Sequence, residues 1–145
     1  MKDDFKINLH CLSDTEKLAK KIAKSIQPNV FIALKGKLGT GKTTLVRYIV
    51  NSLSKKTMKV TSPTFSLVNT YKLDKVKIWH YDLYRLKNKK EIFDLDFELA
   101  LMDCIIVEWP ELIEDFFPKK RIEITISENK NYLRIASVKI FGEAI

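Results

Sequence analysis

Apolar residues recur along this chain with two different periods, and the switches between them divide it into elements. From residue 13 to 26 (SDTEKLAKKIAKSI), Leu18, Ile22 and Ile26 fall at i, i+4 and i+8 behind Ser13, a candidate N-cap with Glu16 three residues on. That pattern predicts an amphipathic helix. Pro28 and Asn29 end it, and Val30–Lys35 (VFIALK) follows as a mostly apolar run suited to a buried strand. A second helix is expected from about Lys42 to Leu53. Residues 66–73, 77–82 and 104–109 read as strands, and 89–101 as one or two short helices. The tail alternates with period 2: RIEITI and YLRIASVKIF, separated by the polar SENKN, predict a closing β-hairpin. Strands and helices alternate through the first half, so the expected class is α/β with a mixed sheet.

Composition narrows the class. At 145 residues and 46% apolar content, with no repeat, low-complexity tract or linker, residues 1–145 are expected to form one domain. The longest apolar run, Val30 to Leu34, is far short of the ~20 residues that span a bilayer, and the opening MKDDFKINLH mixes charges where a signal peptide is apolar. A soluble, cytoplasmic protein without a membrane partner is the expectation. Cys11 and Cys104 belong to no CxxC pair and have no histidine at zinc-ligand spacing, so reduced thiols in a cytosolic core are expected. The net charge is +8, but residues 91–117 hold nine acids and no Lys or Arg. One end acidic and the rest basic is one reading of that asymmetry; a mixed, solvated surface is the plainer one.

Three of the four glycines fall within Gly36-Lys37-Leu38-Gly39-Thr40-Gly41-Lys42-Thr43, which matches G-x-x-x-x-G-K-[ST] between a predicted strand and a predicted helix. The chemistry explains the spacing. Glycines let the backbone wrap so that successive N–H groups face phosphate oxygens, and the following helix adds the partial positive charge of its N-terminus. Lys42 then serves the β- and γ-phosphates as a point charge, and the Thr43 hydroxyl is a candidate Mg²⁺ ligand.

Absences restrict the kind of P-loop protein. No glycine occurs between Gly41 and Gly142, which excludes a D-x-x-G switch and a glycine-rich ABC signature. Asn88-Lys89-Lys90-Glu91 differs from the guanine-reading N-K-x-D in its last residue and reads as a solvated loop, leaving ATP as the expected nucleotide. A carboxylate for the metal is still required, and Asp82 and Glu108 each close an apolar strand at the sheet edge where the P-loop lies. Ser62-Pro63-Thr64 is a loop whose hydroxyls could reach the phosphate or metal, or a simple proline turn.

Taken in order, GKLGTGKTTLVR, SPTFSLVNTY, HYDLYRL and VEWPE resemble the bacterial TsaE family, formerly YjeE, over nearly the whole chain. The resemblance implies a small P-loop ATPase of tRNA threonylcarbamoyladenosine (t6A) formation that binds ATP and Mg²⁺. It also implies association with TsaB and TsaD, the latter being the transferase acting on adenosine 37 of tRNA, so that contact with tRNA is indirect. By position it implies that Gly39, Thr40, Gly41, Lys42, Thr43 and Thr44 bind phosphates and that Thr15 lies near the base. Thr43 and Glu108 become the expected Mg²⁺ contacts, and Asp82 is expected at the metal or its water shell; Lys42, Asp82 and Glu108 form the expected catalytic set. Trp109 is a candidate wall of the site or a core residue, and His80 is expected to pack or hydrogen-bond rather than act as a base. Two departures stand out: Lys37 where the family commonly has Asp, and Asp96 where it favours Gly, which requires Asp96 to tolerate a positive φ. The alternatives are a small-molecule kinase built on the same P-loop and a nucleotide-gated assembly factor with negligible turnover.

Overall fold

The computed structural model describes residues 4–142. Seven strands, β1 (Phe5–Leu9), β2 (Val30–Lys35), β3 (Val68–Lys72), β4 (Lys77–Asp82), β5 (Cys104–Glu108), β6 (Arg121–Glu128) and β7 (Arg134–Phe141), form one sheet ordered β1-β7-β6-β2-β5-β4-β3. The centre, β6-β2-β5-β4, is parallel, and the antiparallel pairs β1–β7, β6–β7 and β3–β4 lie toward the edges. The expected mixed α/β sheet with its C-terminal hairpin is therefore present.

Side-chain alternation along the central strands feeds two cores. Ile32, Leu34, Ile78 and Ile106 face the helices α1 (Leu12–Ala23) and α2 (Lys42–Leu53), meeting Leu18, Ile22, Leu45 and Ile49. Phe31, Ala33, Tyr81, Ile105 and Val107 face the other way. They lie beneath the 3₁₀ segment Lys89–Leu95, the short helix α3 (Phe97–Ala100) and the 3₁₀ segment Pro110–Phe116, which supply Ile92, Phe97 and Ile113. Burial on both faces explains why β2 and β5 read as continuous apolar runs.

Local chemistry moves several expected boundaries. Ser13 does not cap α1: Cys11 is the N-cap in extended conformation, and Asp14 Oδ2 instead accepts from His10 N–H at 2.9 Å. That hydrogen bond holds the Asp14 carboxyl below its usual range. The helix ends at Ala23, so Ile26 falls in the turn beyond it, its N–H bonded to Ala23 O. β3 begins at Val68 rather than 66 because Leu67 is left-handed at φ 71°. β5 stops at Glu108 because Trp109 is left-handed as well, at φ 55°. Between Lys89–Leu95 and α3, Asp96 takes φ 59°, so the position where glycine is favoured does tolerate Asp here. Asn88, read as part of a solvated loop, is exposed and is the N-cap of the 3₁₀ segment, in a capping box with Glu91. Of the two free cysteines, Cys104 is buried as expected and Cys11 is exposed. No helix among the described residues is long and apolar enough to cross a membrane.

Candidate phosphate-binding site

The parallel centre of the sheet ends β2, β4 and β5 on one edge, and register pairs Leu34 with Glu108 and Glu108 with Asp82. The loop leaving β2 carries the glycine-rich motif into α2. Gly36, at φ 153°, admits no side chain: a Cβ there would lie 2.8 Å from Ile126 O and 2.8 Å from Thr40 Oγ1. Gly41, at φ 96°, is the N-cap of α2, has no side-chain cap, and precedes a first turn without an acidic residue. The N–H groups and positive end of α2 are thus left to an external anion.

Lys42 lies 5% exposed, its Nζ donating to Gly36 O at 2.6 Å and resting 3.6 Å from the centroid of the Trp109 ring. Burial holds its ammonium below the usual lysine range against the opposing pull of Glu108, Glu111 and Asp82. Thr43 Oγ1 donates to Glu108, 3.0 Å from Oε2 and 3.2 Å from Oε1. Glu108 Oε2 also meets His80 Nε2 at 2.6 Å. Asp82 is held separately: Oδ2 accepts from Ser62 Oγ at 3.0 Å and Thr64 Oγ1 at 3.1 Å, and Oδ1 from Tyr84 N–H at 2.9 Å.

These groups converge on a cleft of about 380 Å³ lined by Gly39, Thr40, Gly41, Lys42, Thr43, Thr44, Ser62, Thr64, Asp82, Glu108, Trp109 and Arg134, among others. Thr15 does not line it; its N–H bonds Cys11 O in the first turn of α1. The β1–α1 turn, however, borders a second cleft of about 280 Å³ that shares Arg134 with the first. Arg134 escaped sequence reasoning. It enters from the far hairpin, donating through its guanidinium to Gly39 O at 2.9 Å, and no local motif marks it. The direct His80–Glu108 contact was also unmarked, although burial is a signal in retrospect. The buried polar or charged side chains among the described residues are Ser25, Thr40, Lys42, His80, Asp82 and Glu108, and all but Ser25 belong to this edge of the sheet. No cluster of three or more His, Cys, Asp or Glu able to hold a metal occurs among the described residues.

Comparison with known proteins supplies the kinship. The family described as threonylcarbamoyl adenosine biosynthesis protein TsaE matches residues 9–136. The TsaE proteins of Rickettsia conorii and Aquifex aeolicus are similar at 40% and 41% identity, covering 90% and 84% of this chain and 75% and 88% of theirs. The Bacillus subtilis TsaE is 34% identical over 78% of this chain and 71% of its own. Among solved structures, the crystal structure of YdiB from Bacillus subtilis superposes with a TM-score of 0.76 at 27% identity, covering 98% of this chain and 88% of that one. With its P-loop, its paired strand-end acids and this breadth of match, the chain belongs to the TsaE family, the proteins of tRNA threonylcarbamoyladenosine biosynthesis.

Proposed function

We propose that this protein binds ATP with Mg²⁺ in the P-loop cleft, hydrolyses it slowly by itself, and acts with TsaB and TsaD in forming t6A at adenosine 37 rather than transferring the threonylcarbamoyl group. The observation that carries this reading is the meeting of Thr43 and Glu108 at the uncapped N-terminus of α2, beside buried Lys42. Gly39, Thr40, Gly41, Lys42, Thr43 and Thr44 serve the phosphates. The base lies toward the second cleft and the turn that leads to Thr15.

The donor set suits the metal. Mg²⁺ takes hard oxygen ligands and is usually held by one or two carboxylates together with phosphates and water. Thr43 and Glu108 supply a hydroxyl and a carboxylate within hydrogen-bond distance of each other. Asp82 is bonded to Ser62, Thr64 and the Tyr84 N–H rather than to Thr43, so it acts on the water shell and on the Ser62 and Thr64 hydroxyls, while Glu108, bonded to Thr43, is the carboxylate placed for the metal. Bound there, Mg²⁺ neutralises charge on the transferred phosphoryl group. Lys42 shares that task, and the Ser62-Pro63-Thr64 loop closes the far wall.

Phosphate release measured for the chain alone and with TsaB and TsaD tests this reading. Slow hydrolysis alone that rises when both partners are present supports it. Rapid hydrolysis alone, without binding or response to the partners, overturns it and restores the small-molecule kinase. Phe65 and Tyr84 stand 85% and 57% exposed beside this cleft, so their replacement by Ala is expected to weaken complex formation and turnover together.

A further inference from the structure

Within the site edge, one buried group has no part in the chemistry so far described. His80 is 0% exposed, its Nε2 lies 2.6 Å from Glu108 Oε2, and its Nδ1 has no hydrogen-bond partner. It sits on β4 two residues before Asp82, so both side chains face α2, and Tyr71 flanks its ring with centroids 6.4 Å apart.

The unpartnered nitrogen selects the tautomer. A proton on Nδ1 alone would be buried without an acceptor and would leave the Nε2 lone pair facing a carboxylate oxygen. A proton on Nε2 alone satisfies the carboxylate and leaves no buried N–H unpaired. Nε2–H therefore donates to Glu108.

We infer that His80 is a positioning residue: by holding Glu108 Oε2 from the sheet side, it keeps the carboxylate turned toward Thr43 and the mouth of the P-loop. This inference rests on the nucleotide–metal reading above. In the structure Glu108 has two supports, Thr43 and His80. A Thr43 hydroxyl that met a metal through an oxygen lone pair would keep its proton for Glu108, but its position would then be set by the metal, so His80 is the support that holds the carboxylate from the sheet independently of the metal. Without it the carboxylate must be ordered at the moment of metal binding, and metal affinity falls while metal-free nucleotide binding does not.

The test uses the full chain with ATP and Mn²⁺, following bound metal by electron paramagnetic resonance and nucleotide affinity in chelator by calorimetry. His80→Gln places an amide N–H near the Nε2 position; His80→Asn is too short to reach Glu108; His80→Phe keeps the ring and removes the donor. The Asn and Phe variants are expected to need about 10–100-fold more Mn²⁺ for half-occupancy, with nucleotide affinity in chelator within about twofold of the parent and Gln close to the parent. Should Phe fail to fold, the Gln and Asn pair decides alone. Equal weakening with and without metal, or Gln and Asn behaving alike, overturns the positioning role. A parent protein whose nucleotide binding ignores Mn²⁺ overturns the nucleotide–metal reading and this inference with it.

Discussion

Lys42 Nζ lies between Gly36 O, 2.6 Å away, and the face of the Trp109 indole, 3.6 Å from the ring centroid. The lysine is therefore ordered at the P-loop before any phosphate arrives. The indole covers it from the side of β5, held there by a left-handed backbone that a bulky residue adopts only at a cost of about 1–3 kcal/mol. In the proposed reading, Lys42→Ala removes the buried cation that serves the β- and γ-phosphates. ATP affinity is expected to fall by about 100-fold or more, as calorimetry will show, with the melting temperature little changed. Affinity within about threefold of the parent would mean that the phosphates sit elsewhere.

Thr43→Ala has a different signature. Its hydroxyl contacts Glu108 rather than the glycine loop, so the backbone cradle survives the change. Nucleotide binding in the presence of Mg²⁺ is expected to weaken by about tenfold, while binding in chelator stays within about twofold. Equal loss in both conditions removes Thr43 from the metal.

Asp82→Ala and Glu108→Ala are both expected to keep the fold and lose Mg²⁺-dependent phosphate release, but only one of them disturbs a loop. Asp82 ties down Ser62 and Thr64, so its loss is also expected to speed hydrogen exchange at residues 61–67. Glu108→Ala leaves those bonds intact. Parental hydrolysis by either variant in the presence of TsaB and TsaD reduces that acid to a strand-end residue.

Much of this architecture was legible from the apolar pattern, because β2 is buried on both faces and reads as one apolar run, while α2 and the closing hairpin each bury one face. The P-loop was legible because its chemistry is local: Gly36 and Gly41 are needed where the backbone turns. What stayed hidden was either non-local or strained. Nothing in residues 77–82 tells that β4 lies beside β5 in the register that brings His80 to Glu108, and nothing near Arg134 points 95 residues back to Gly39. Leu67 and Trp109 end or delay strands through left-handed conformations that their side chains disfavour, so propensity misplaced both boundaries. β1 escaped although its three apolar residues alternate with polar ones, because the segment is only five residues long and the strand it pairs with, β7, lies at the far end of the chain.

A pH dependence follows from the end of β2. Partial burial alone would lift the Glu123 carboxyl, but hydrogen bonds and charges from Lys35 and Arg121, 2.9 Å and 2.6 Å away, hold it below its usual range. A depressed carboxyl contributes stability above its unfolded pKa and loses it as pH falls through the folded value. Glu123→Gln is therefore expected to lower the melting temperature by about 2–5 °C at pH 7, with the gap to the parent closing as pH drops below about 4. A gap of the same size at pH 3.5 would assign the loss to packing instead.

The acidic segment forms a face, and that face makes the last prediction electrostatic. Glu91, Asp94, Asp96, Glu98, Glu111, Glu114 and Asp115 are all exposed on the side of the sheet opposite α1, whose outer surface carries Lys17, Lys20, Lys21 and Lys24. Exposed Phe93, Leu99 and Met102 lie among the acids, so apolar contact is available once a partner has been drawn in. If this face guides docking to TsaB and TsaD, the association rate should fall by about tenfold between 50 and 300 mM salt, because the screening length contracts from about 14 to 6 Å. Reversal of Asp94 and Glu98 to Lys should slow association at low salt more than it speeds dissociation, the mark of steering rather than of a buried ion pair. A complex indifferent to salt and to both reversals would leave the family assignment and the P-loop reading intact but would mean that the acidic face only solvates the molecule.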